Sequence, residues 1–161
     1  MASLGARLLR CVLYNPLSTL LPERGRDISS RLANQDVVIL VGTRQRAPRR
    51  APQSTVMRVQ YDDHVELRWG WNAGALTNKC CGGSILLSRR RFKTPKIRKL
   101  LNPPPGLLGR VGGVVLHGSP NLVLAYAYWP PRPVRREGFA VYERTCAAIF
   151  EWMLCALGPW K

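Results

Sequence analysis

A chain of 161 residues with 46% apolar content is long enough for one domain with a buried core and too apolar to be compositionally disordered. Its 25 Lys and Arg against 9 Asp and Glu give a net charge of +16 and a pI near 10.8, a balance that attracts polyanions. Five cysteines, odd in number and including the adjacent pair Cys80-Cys81, give no regular disulfide framework; the absence of any C-x-x-C, with only His64 and His117 besides, excludes the ligand spacings of structural zinc.

In chain order, Leu8 to Tyr14 reads as a first strand that stops at Asn15-Pro16, because the proline ring excludes helical backbone at the residue before it. From Glu23 to Ala33, Ile28, Leu32 and Ala33 recur at helical spacing between charged residues, which predicts an amphipathic helix. Asp36 to Arg46 holds the run Val37 to Val41, apolar throughout and β-branched at all but Leu40. A strand with one wet face would alternate, so this run predicts a central strand buried on both faces. Ligands of open α/β sheets sit beyond the carboxyl ends of such strands, which singles out the exit Gly42-Thr43-Arg44. Strand, helix, strand with adjacent parallel strands implies a right-handed crossover.

Arg46 to Pro52 is too rich in breakers and charges for a regular element. Thr55 to Tyr61 and His64 to Trp71 form a predicted hairpin around Asp62-Asp63, with Val65, Leu67 and Trp69 alternating. The paired carboxylates read as turn chemistry in preference to a metal or general-base pair, since Asp side chains bond the backbone two residues on. Gly82 to Leu87 is another short buried strand. Ser88 to Lys99 carries seven basic residues and no acid, and 89–106 reads as a basic, proline-rich loop within the single domain 1–161. Leu107 to Leu116 and Asn121 to Trp129 predict a second hairpin, and apolar spacing from Tyr142 to Leu157 predicts a closing helix from Phe139 to Leu157.

The order of these pieces resembles the N-terminal half of the endonuclease/exonuclease/phosphatase superfamily, closest to the endonuclease-like domains of non-long-terminal-repeat retrotransposons. The matching features are a first strand ending in Asn15, a central strand ending in Val41-Gly42-Thr43-Arg44, the Gly83 to Leu87 strand, and Ala127-Tyr128-Trp129-Pro130 before a helix. The resemblance covers about Arg7 to Trp160. It implies an α/β fold of DNase I-like type, a partial two-sheet sandwich of mixed sheets with flanking helices whose second half is missing, and an ancestral Mg²⁺-assisted hydrolysis of phosphate esters. Asn15 then corresponds to the asparagine beside the scissile phosphate and metal, and Tyr128 to the tyrosine of a Tyr-x-Pro motif that bonds a phosphate oxygen or the attacking group.

The departures from that pattern concern the chemistry. Gly42 stands where the family's metal-binding glutamate is expected, and glycine offers a hard divalent ion only its backbone carbonyl. The Gly-Asp-x-Asn segment and the Ser-Asp-His base do not occur, and the chain stops at Lys161 where the former would begin. A truncated relative without turnover follows, binding Mg²⁺ weakly if at all, with about half of its sandwich core uncovered and a tendency to self-associate.

Charge alone supports a second reading, a non-enzymatic module that binds a DNA or RNA phosphate backbone through Arg44, Arg89, Arg90, Arg91, Lys93 and Lys96, with Arg98 and Lys99 as further contacts and Phe92 available for stacking. A third is a translated remnant with no selected role. Trp69, Trp71, Trp129, Trp152 and Trp160 read as core residues, and Cys146 and Cys155 as packing residues of the last helix. Arg7, Arg10, Asn15 and Pro16 interrupt the apolar N-terminus, so no signal or membrane span is expected. Reduced thiols suggest an intracellular protein, nuclear or cytoplasmic.

Overall fold

The computed structural model describes residues 8–16, 22–44, 56–70 and 82–160. In order these form Cys11–Tyr14 (β1), Pro22–Arg31 (α1), Val37–Val41 (β2), Met57–Gln60 (β3), His64–Trp69 (β4), Gly83–Ser88 (β5), Ile97–Leu101 (β6), Val111–Leu116 (β7), Leu122–Ala127 (β8) and Phe139–Leu157 (α2). They build an α/β fold with two sheets, one five-stranded and mixed in the order β1-β2-β5-β4-β3, the other antiparallel in the order β6-β7-β8. β1 and β2 are adjacent and parallel, as the opening strand, helix, strand requires. The loop expected at Arg46 to Pro52, together with Trp71, Cys80 and Cys81, lies outside the described residues.

The apolar run of β2 is covered from both sides. Val38 and Leu40 meet Ile28 of α1 and Leu86 of β5, while Val37 faces the second sheet with Leu67, Trp69, Ile85 and Leu87. Across that gap stand Val114, Leu116, Leu124 and Tyr126. On the outer side of the second sheet α2 packs through Ile149 against Val111 and Leu107. The sequence therefore stacks four layers, helix on sheet on sheet on helix, and the alternation in β4 follows from it: Val65, Leu67 and Trp69 point inward, and His64, Glu66 and Arg68 outward under α1.

Two glycines set the geometry at one end of the sandwich. The ring of Tyr126 stands against Gly83 so closely that no Cβ could be placed there. The same ring meets Trp69 edge-on, with centroids 5.8 Å apart and planes at 64°. Gly42 is the other glycine, and it belongs to the candidate site below.

The structure corrects several expectations. Ile97–Leu101, placed in the basic loop, is a strand whose pairing with β7 gives the second sheet its third member. That sheet covers the central strands of the first, so exposure of its inner face is confined to the edges: Leu13, aligned with Ile39 of β2, is 67% exposed, and Arg58 and Gln60 of β3 are exposed. Three strands do not span five. Phe92 packs against the core and is not presented for stacking. Cys155 and Trp129 are exposed, contrary to their reading as packing and core residues, whereas Trp69 is buried. The first strand begins at Cys11, three residues later than expected.

The outward row of β4 is polar and satisfied. Glu66, 2% exposed, accepts from Tyr61 Oη at 2.7 Å, Ser84 Oγ at 2.5 Å, and Arg68 Nε and Nη2 at 3.2 and 2.7 Å. Burial, then the carboxylate of Glu66, pushes the Tyr61 phenol above its ordinary range. For Arg68, burial opposes the charge but the hydrogen bond and attraction from Glu66 outweigh it and raise its pKa. His64, fully buried, places Nε2 3.2 Å from the Gln35 carbonyl and Nδ1 2.9 Å from Ser29 Oγ. A carbonyl only accepts, so Nε2 carries the proton and Nδ1 accepts from the serine, a tautomer assigned from these partners.

Two outcomes are expected. Glu66→Ala strands the Arg68 guanidinium in a nearly closed site and lowers unfolding free energy by about 3–5 kcal/mol, read from urea denaturation. Burial lowers the His64 pKa against the opposing pull of the Gln35 carbonyl, Asp63 and Ser29. The unfolded chain therefore protonates near its ordinary value of about 6.5 while the folded chain still refuses the proton. Stability is full above that value and falls as the pH drops through it toward the depressed folded pKa. Urea midpoints measured across this window should decline in the wild type and decline less in His64→Gln.

Candidate functional site

The strand directions bring one set of predicted residues to a common rim. β1 runs out into Asn15, β2 into Gly42, Thr43 and Arg44, and β8 into Tyr128, while β5 and β7 begin there at Gly83 and Val111. Along this rim the β2–β5 ladder is extended by Thr43 N to Gly82 O at 3.0 Å, and one backbone hydrogen bond, Gly82 N to Gly109 O at 2.8 Å, reaches across to the segment that leads into β7 of the second sheet. Tyr128 N donates to Arg110 O at 2.7 Å, and Arg110 Nη1 donates to Tyr128 O at 3.3 Å. Arg110 is 5% exposed, an arginine used to fix the Tyr128 backbone. Sequence reasoning passed over it, because a single arginine between Gly109 and Val111 has no pattern that marks it as buried.

Asn15 and Gly42 are neighbours. A Cβ at Gly42 would stand 3.0 Å from Asn15 Oδ1, and Gly42 adopts φ +68, a left-handed backbone that glycine tolerates and other residues resist. Thr43 is fully buried behind it, and Arg44 projects from the rim, exposed, with φ +59. This rim thus combines an amide, a half-buried tyrosine and an exposed arginine around a glycine corner.

The Mg²⁺ that the resemblance implies does not fit this donor set. Where a carboxylate would be needed beside Asn15, the chain supplies a glycine, which has no side-chain oxygen, in a left-handed backbone that other residues resist. Among the described residues no group of three or more His, Cys, Asp or Glu is placed to hold a metal ion. His117 is exposed at the other end of the sandwich, where its backbone N bonds Lys96 O at 2.8 Å, and His64 is enclosed beneath α1.

The basic residues gather elsewhere. Arg89, Arg90 and Arg91 form the turn after β5, and Lys93 and Lys96 lead into β6. β5 starts at the Asn15 rim and spans six residues, so this turn lies roughly 16–20 Å away, at the opposite end of the sheet. Arg89 Nη1 donates to Tyr61 O at 3.2 Å, and Arg90 lies 3.9 Å from Asp63, itself part of the β3–β4 turn that the sequence predicted. Of the residues proposed to contact nucleic acid, Arg44 alone sits at the Asn15 rim.

Compared with protein-family models, curated proteins and solved structures, the chain matches none.

Gly42→Ala is expected to cost about 1–2 kcal/mol through the left-handed backbone, with the tight approach to Asn15 adding to it. Thermal or urea unfolding of Gly42→Ala, and of Gly42→Ala combined with Asn15→Ala, separates the two parts: the second change should recover only the steric share.

Proposed function

We propose that this chain is a catalytically silent relative of the metal-dependent phosphodiester hydrolases, one that holds the phosphate backbone of DNA or RNA without cutting it. The observation that carries the reading is the separation of charge from chemistry. The exposed Arg89 to Lys96 segment and the Asn15–Gly42–Tyr128 rim occupy opposite ends of the first sheet. A backbone held by the basic turn is not thereby delivered to the rim, and the rim offers glycine where a hydrolase needs a carboxylate.

A net charge of +16 supports binding through released counterions, which has a quantitative signature. A patch that makes about three phosphate contacts should lose roughly 40-fold in affinity between about 50 and 200 mM salt, log affinity falling linearly with log salt. Fluorescence anisotropy with a labelled duplex measures this. Salt-insensitive binding, or none, contradicts the reading. In parallel, a supercoiled plasmid incubated with the purified chain and Mg²⁺ should remain unnicked; metal-dependent nicking above the level of a mock purification contradicts the catalytic silence.

A further inference from the structure

The basic turn is one wall of a recess that the sequence does not reveal. Leu8 and Arg10 ahead of β1, Ala33, Asn34 and Asp36 between α1 and β2, and Ser88, Arg90 and Arg91 at the end of β5 line a hollow of about 410 Å³. Three arginines line it from segments about 80 positions apart; of the carboxylates, Asp36 lines it too, and Asp63 stands 3.9 Å from Arg90 at its edge. The Asp36 carboxylate is already engaged, accepting Arg10 N–H on Oδ2 at 2.9 Å.

The backbone that carries these side chains is fixed. Asp36 N and Val37 N donate to Arg10 O at 2.8 and 3.0 Å, and Ser88 N donates to Asp36 O at 2.9 Å. The turn itself is closed by Arg89 N to Asp63 O at 2.9 Å and Phe92 N to Ser88 O at 2.8 Å. Arginine forks on a rigid frame suit a tetrahedral oxyanion, because each planar guanidinium can offer two parallel N–H donors and keeps its charge at every working pH. A concave hollow lined mainly by one sign of charge raises the local potential above that of a flat basic surface.

We propose that this recess is the phosphate-binding site of the chain, seating one backbone phosphate of a nucleic acid between Arg10 and Arg90, with Arg91, Ser88 and Asn34 around it. The inference rests on the nucleic-acid reading above and gives that reading a location. It adds Arg10, which lies outside the basic run. It also makes the Asn15 rim, including Arg44, a bystander in binding.

The test compares two double variants with the same loss of charge, in duplex binding followed by anisotropy across a salt series. Arg10→Gln with Arg90→Gln should weaken binding about tenfold or more and reduce the salt slope by about 2, whereas Arg44→Gln with Lys99→Gln should change both far less. Equal losses in the two variants would assign binding to overall charge and overturn the recess while leaving nucleic-acid binding intact. No binding by the wild-type chain would overturn the underlying reading itself. A measurement on the unmodified protein guards against a variant that fails to fold: phenylglyoxal labelling read by mass spectrometry, with and without duplex. Protection of Arg10 and Arg90 exceeding that of Arg44 is the expected result, and uniform protection, or none, overturns the site.

Discussion

The contact of Tyr126 with Gly83 and Trp69 is where one sheet closes on the other. Tyr126 comes from the end of β8, Trp69 from the end of β4 and Gly83 from the start of β5, so a single aromatic cluster ties three strands from two sheets at one level. A side chain at position 83 would push the sheets apart at this end. The Gly82–Gly109 backbone bond, which crosses between the sheets, depends on that spacing. Sandwich cores are built from interdigitating inner faces, and here the interdigitation also fixes the loops at one end.

That end is structurally complete yet chemically poor, and the opposite end is the reverse. At the rim, Arg110 serves the Tyr128 backbone, Thr43 is fully enclosed, and Gly42 fills its corner without a side chain. At the far end, charged side chains project into solvent from a backbone locked by the Arg10–Asp36–Ser88 hydrogen bonds. The division follows from strand direction alone. β1 and β2 are parallel and both enter at the arginine end, β5 is antiparallel and exits there, and the turn after β5 is the most basic stretch of the chain.

Much of the fold could be read from the sequence because its signals are local. The unbroken apolar run of β2, the alternation in β4 and the helical spacing in α2 each state a period and a buried face, and α2 spans Phe139–Leu157 as expected. β6 was hidden because Ile97, Leu100 and Leu101 are interleaved with Arg98 and Lys99 and flanked by prolines; as an outer strand of its sheet it has little apolar pattern to show. The adjacency of Asn15 and Gly42 was legible from the strand, helix, strand unit. The recess was not: Arg10 and Arg90 are brought together only by β1–β2–β5 pairing, a long-range fact that no window of sequence contains.

The most direct test of the account is an amide-resolved NMR titration of the chain with a short duplex, which asks at which end of the sandwich the nucleic acid sits. Perturbed amides are expected to cluster at Arg10, Asn34 to Asp36 and Ser88 to Lys93, while Asn15, Gly42 to Arg44 and Tyr128 stay unperturbed. Perturbations centred on Asn15, Gly42 and Tyr128, with the arginine turn silent, would contradict it and place binding at the glycine rim.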